Sequence, residues 1–265
     1  MTGAPPAALQ WSALLGVGLL RRLASWWAVV DFAAQMMVLA LSPSSYRRAQ
    51  HPVLQQHLVG ATAPLLPAFV AICAVVSLVI IQIVVATAAS YGLSRYALEV
   101  LVRALVIELM PLLVALYVAV RYTMPGGEEV AALRATGILR SMWRGGADPA
   151  RDELLPRVVA GVFSVALLSV VSCVLALLLT YLSVYGFTTW GFDAYTRAVG
   201  QVFNPAVTLI FALKALFFSL AVAILPIAPD LRSAATRRHD HIGVLGRVFA
   251  AILLVEVCSL VGNYY

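Results

Sequence analysis

The stretch VVAGVFSVALLSVVSCVLALLLTYLSVYGFTTWGF, residues 158–192, carries no charged side chain from end to end. A bilayer's hydrocarbon core, about 30 Å thick, is crossed by roughly 20 residues of helix, so this run can span it with residues to spare. Leu58 to Ser94 is a second uncharged run of the same kind. The whole chain agrees with these two runs. Hydrophobic residues make up 62% and charged residues 11%, and the mean hydropathy is +0.95. Soluble domains do not have that composition. The sequence predicts an all-α, multi-pass membrane protein.

Outward from these runs, five spans are expected, at about 60–89, 97–123, 157–185, 202–228 and 245–263. The longest polar interval, Arg121 to Arg157, separates spans two and three. It opens Met124-Pro125-Gly126-Gly127-Glu128-Glu129 and closes Arg144-Gly145-Gly146-Ala147-Asp148-Pro149. Between the glycine pairs the pattern predicts one helix, about 128–144, with Glu128 and Glu129 in its first turn and Arg144 in its last, as the helix dipole favours. Ala131, Ala135, Ile138 and Met142 would share one face, with Arg134, Arg140 and Arg144 opposite. A basic amphipathic helix between spans is what a membrane protein offers to a soluble partner.

Arginine counts set the expected sides. The N-terminal part, the 121–157 interval and the 230–247 loop are arginine-rich, whereas the connections 90–95 and 186–198 hold one arginine each. Placing the first group in the cytoplasm satisfies the positive-inside rule for all five spans and puts Tyr264-Tyr265 on the far side. The net charge of +6 comes from these arginines, so nucleic acid is not an expected partner. Residues 1–50 are expected to form a separate lead, and 51–265 the membrane domain. Within the lead, Arg21-Arg22, Trp26-Trp27 and Asp31 interrupt residues 11–42. Two readings stand: a helix lying in the cytoplasmic leaflet, which we prefer, or a span over Leu23–Leu41.

Several chemistries find no pattern here. There is no phosphate-binding loop, no HExxH or CxxC, and no recognisable nucleophile context. His239-Asp240-His241 reads as a solvated basic turn, and Cys73, Cys173 and Cys258 as single buried thiols. The chain is expected to be a non-catalytic subunit with neither metal site nor cofactor of its own. Its intramembrane charges are Glu99, Arg103, Glu108, Lys214 and Glu256, and such charges are costly and turn inward. Glu99 and Arg103, spaced i and i+4, read as a pair on one helix face. Glu108 stands three residues before Pro111, so a kink is expected at the carboxylate. Lys214, the chain's single lysine, needs an acid or a polar headgroup as partner.

These residues resemble a family, the MlaE (YrbE) permeases of MCE-type bacterial ABC lipid transporters. The resemblance lies in Glu108-Leu109-Met110-Pro111, Arg121, Glu129, Arg134-Ala135-Thr136, Asp148-Pro149 and Pro156-Arg157-Val158-Val159-Ala160-Gly161. Gln82 and Lys214 match too, and the likeness covers about residues 55–260. Departures are Met110 for a motif glycine, Gly137-Ile138 for glutamate-glutamine, and Ile224 to Pro229 for a glycine-rich patch; they fit a divergent member.

The resemblance implies a transmembrane permease subunit of an ATP-driven transporter of phospholipid or another hydrophobic molecule, working between inner and outer membrane. It implies a cytoplasmic ABC ATPase carrying ATP and Mg, a periplasmic MCE-domain protein and a second permease copy as partners. Localisation would be the bacterial inner membrane, N-terminus cytoplasmic and C-terminus periplasmic. The helix bearing Glu128, Glu129, Arg134, Arg140, Met142 and Arg144 would couple to the ATPase. Glu108, Lys214, Gln82 and Arg103 would meet substrate, with Glu108 and Lys214 facing a dimer interior near an acidic headgroup's path. A secondary carrier using Glu108 or Lys214, or a membrane scaffold recruiting a cytoplasmic partner, are the alternatives.

Overall fold

The structure, a computed structural model, describes residues 27–42, 51–228 and 241–264, and all regular structure among them is helical. Residues 1–26, with Arg21 and Arg22, lie outside the described residues. So do Arg47, Arg48 and residues 229–240, which include His239 and Asp240. Helix α1 is Trp27–Leu41. It is followed by α2 (His51–Thr62), α3 (Leu66–Ser90), α4 (Ser94–Val100), α5 (Met110–Val118), α6 (Met124–Ala135) and α7 (Ile138–Arg144). Then come α8 (Leu155–Tyr185), α9 (Phe192–Val202), α10 (Pro205–Ile224) and α11 (His241–Tyr264).

Among the described residues, five helical runs are long and apolar enough to cross a membrane: Leu54–Ser90, Tyr96–Ala135, Ala150–Tyr185, Pro205–Ile224 and Gly243–Asn263. They are the five expected spans, with shifted edges. α1 is shorter than these, and its Val29, Phe32 and Met36 pack into the main core while Trp27, Val38 and Leu41 stay exposed.

Span three is the centre of the bundle. α8 packs against α2, α3, α5 and α10. Its buried row steps by four, through Ser164, Leu168, Ser172, Ala176 and Thr180, so one stripe of mostly small side chains faces its neighbours. Lipid tails are as apolar as leucine, and helices in a bilayer therefore associate through close packing rather than burial from water. Gly161 shows how close: a Cβ there would stand 3.1 Å from the Cβ of Ala223. Ser164 and Thr62 join their hydroxyls at 3.0 Å between α8 and α2. Large apolar residues fill the outward faces instead, among them Val75, Val79, Val170, Val174, Leu254 and Val261.

Span two departs most from a plain helix. Leu101–Leu109 and Ala119–Thr123 are π-helical, each giving way to a turn that holds a proline, Pro111 and Pro125. A proline cannot donate its backbone bond, and a π turn widens the coil locally to absorb the mismatch. Glu108, where a kink is expected, lies in the first of these π-helical stretches.

Two expectations are corrected. The single helix over 128–144 does not exist. Span two runs on without a break through Met124 and Pro125 into α6, so Glu128 and Glu129 stand in no first turn. The chain then breaks at Gly137, whose φ of 76° is open to glycine and strained for other residues, before α7 begins. The stripe Ala131–Ala135–Ile138–Met142 is therefore split between two helices. The 186–198 connection, expected as a loop, contains α9. Gly186 (φ 69°) ends α8, α9 buries Tyr195 and Val202, and Asn204 caps α10 by accepting from the Val207 amide at 2.8 Å.

Candidate functional site

Pro111 has no amide to donate to the π-helical turn before it, in which the Met110 amide bonds back to Leu105 O. Lys214 reaches across from α10 and its Nζ stands 3.4 Å from Ile107 O and 3.5 Å from Glu108 O. The same ammonium donates to Glu108 Oε2 and, at 3.0 Å, to Glu256 Oε1 on α11. Asn263, two turns beyond Glu256 on α11, donates to Glu108 Oε1 at 3.1 Å. Three N–H bonds of one ammonium thus meet two carboxylates and a backbone carbonyl, which is its full donor capacity. Nζ also lies 5.8 Å from the centre of the Phe218 ring, one turn along α10. The cluster ties spans two, four and five together.

Burial inside it is uneven. The Lys214 side chain is 0% exposed, while those of Glu108 and Glu256 keep 12% and 13%. The lysine is the floor of the site and the carboxylates its rim. Glu256 and Asn263 extend an inward stripe of α11 that begins with Val248 and Ile252.

Of the residues expected to meet substrate, Glu108 and Lys214 come together. Gln82 and Arg103 do not join them: Gln82 lies on an exposed face of α3, and Arg103 pairs within its own span with Glu99 at 4.0 Å. Lys214 is met by two carboxylates, so little of its charge is left for an acidic headgroup. Sequence reasoning named Glu256 as an intramembrane charge without placing it here, and it missed Asn263. A signal existed for Glu256, since an acid in an apolar span calls for a cation and the chain has one lysine.

A second site forms where span two leaves the bundle. A Cβ on Gly127 would stand 2.5 Å from the Pro226 carbonyl oxygen, so α6 lies directly on the turn after α10. Arg134 holds the same turn, its Nη2 donating to Ile227 O at 2.7 Å. Arg157, at the start of α8, donates to Glu129 Oε2 at 2.7 Å and Glu153 Oε1 at 2.6 Å. A cavity of about 170 Å³ opens among His57, Arg121, Tyr122, Glu129 and Arg157. Of the residues expected to couple to a partner, Glu129 and Arg134 thus work inside the chain. Glu128, Arg140 and Arg144 are exposed, and Met142 is half-buried on α7. Trp143 on α7 is 74% exposed.

The opposite end is aromatic. Tyr181 and Tyr185 stack on each other around the α8–α9 turn, and Trp190, Phe192 and Tyr195 meet them edge to face. The Tyr195 hydroxyl donates to Leu177 O at 2.7 Å, and burial pushes its phenol above the ordinary tyrosine range. Beside it a cavity of about 390 Å³ is lined by Val85, Ala97, Leu98, Val184 and Gln201, with Glu99 at its wall.

Five apolar runs packed around one buried ionic cluster define a multi-pass helical membrane protein, with a helical connector projecting from span two. The family model Permease MlaE matches residues 54–262. The chain belongs to that family, the membrane permease subunits of ABC lipid transporters. A search of curated proteins gives no match.

Proposed function

We propose that this chain is the permease subunit of an ATP-driven phospholipid transporter, acting in a bacterial inner membrane with its N-terminus cytoplasmic and its C-terminus periplasmic. A cytoplasmic ABC ATPase binds the connector, a second permease copy completes the membrane path, and an MCE-domain protein receives or delivers lipid on the periplasmic side. ATP and Mg sit on the ATPase chain. The observation that carries this reading is the connector itself. α6 continues span two and is clamped to the end of span four, so force on it reaches two spans at once. α7 presents Ile138, Arg140, Trp143 and Arg144 outward, an apolar and basic surface of the sort that docks on a soluble partner. The arginine-poor, aromatic opposite end fits a periplasmic interface.

Co-purification from mildly solubilised membranes tests it. An ATPase subunit should accompany the wild-type chain, and Arg140→Glu with Arg144→Glu should remove it while the permease stays folded. Absence of any ATPase, or a complex undiminished by the double reversal, would overturn the proposal. Arg134 is left out of the test because it holds the Ile227 carbonyl.

A further inference from the structure

The Lys214 cluster holds more negative groups than positive ones. If both carboxyls were ionised, one ammonium would face two carboxylates inside a membrane span, leaving one uncompensated negative charge. Among the described residues, no other charge makes a contact with the cluster. Arg103, five residues before Glu108, pairs with Glu99. Span three, packed against span four, has no charged residue between Arg157 and its end at Tyr185, and α3 has none at all. Arg247, on the same helix as Glu256, lies nine residues away, about 13 Å along the axis at 1.5 Å per residue. The thiols of Cys73 and Cys173 point elsewhere, to Met110 Sδ and Val106 O.

The geometry adds a second constraint. The carboxyl groups of Glu108 and Glu256 are both held against the same Nζ of Lys214. Two ionised carboxylates only accept, so on one shared donor they repel each other, and a hydrogen on one of them relieves that repulsion. Two further polar groups on this stripe of α11 are buried without a partner among the described residues: the Ser259 hydroxyl, in a residue 7% exposed, and the Asn263 Oδ1. They follow Glu256 by three and seven residues, the spacing of one helical face. The stripe runs from the carboxyl pair to the end of span five at the aromatic side of the bundle. It is a row of groups able to accept and pass on a hydrogen bond.

We propose that Glu108 and Glu256 form a proton-binding pair, holding one proton between them while Lys214 stays charged. The loaded cluster is then neutral, with carboxylate, carboxylic acid and ammonium mutually bonded. Proton loss to water leaves two carboxylates on one ammonium, and their repulsion loosens Glu256, and with it span five, from spans two and four. Ser259 and Asn263 mark the route by which the proton comes and goes. The site is separate from ATPase docking and does not depend on which lipid is carried.

Infrared difference spectroscopy of the full-length chain in lipid nanodiscs tests this directly. The wild type at neutral pH should show the carbonyl stretch of an un-ionised carboxylic acid. That band should be lost in Glu256→Gln, in Glu108→Gln, or in both, because glutamine keeps a hydrogen-bonded neutral group in place. Raising the pH should abolish the band in the wild type, a measurement that needs no variant to fold. The thermal midpoint should fall with it, since a proton bound in the folded state stabilises only where it stays bound. Glu256→Gln should hold its midpoint over the same pH range. No band in the wild type, or a band that survives both substitutions, would overturn the proposal.

Discussion

Span two carries two acid–base contacts nine residues apart, and they do different jobs. Near its start, Glu99 and Arg103 face each other at 4.0 Å on one helix, with side chains 57% and 33% exposed. At its middle, Glu108 leaves its helix to meet Lys214 from span four, and through it Glu256 from span five. The first pair decorates a helix that would form without it. The second sets how three helices stand. A charge's weight here follows from how many separate elements it joins and how little water reaches it.

Substitutions can break that contrast, and the largest effect belongs to the middle of the span. Lys214→Met should lower the stability of the solubilised protein by roughly 3–5 kcal/mol, because it strands two carboxyls and the Ile107 carbonyl without their donor. A denaturant titration reads this, and an unchanged midpoint would make the cluster ornamental. Next comes the α6 end, where span two also meets span four but through backbone rather than charge. Gly127→Ala drives a methyl group into the Pro226 carbonyl and should cost about 1–3 kcal/mol. Gly126→Ala has open space and should be silent by the same titration. Equal behaviour of the two glycines would mean that α6 does not lie on the turn after α10. Smallest is the Glu99–Arg103 pair: Glu99→Gln should change stability by under about 1 kcal/mol, less still in high salt. A larger loss would show that Arg103 holds something beyond its own helix.

The contrast also explains what the sequence made legible. The five spans were readable because charge-free runs of that length have one stable home, a helix in lipid. Glu99–Arg103 was readable because i and i+4 neighbours meet on any helix. The Lys214 cluster was legible only as an unmet need, since nothing local says which acid a lysine in span four will find. Its partners lie 106 and 42 residues away. The connector misled for a related reason. Gly126-Gly127 looked like a loop, yet the glycine at 127 is there for the contact with Pro226 and sits within a helix. Gly137 looked like a helix interior position and is the break. Glycine marks a close approach as readily as it marks a turn, and one chain read in order does not tell the two apart.

The unbroken run of span two has a mechanical side. Tyr96 to Ala135 is 40 residues of continuous helix, about 60 Å at 1.5 Å per residue, roughly twice the thickness of a hydrocarbon core. Glu108 sits 27 residues from Ala135, about 40 Å along it. In the proposed transporter the span would be a lever, with α6 as its handle and the ionic cluster as its load. Gly137 ends that handle and sets α7 on a new course, so a partner docked on α7 would act on the span through α6.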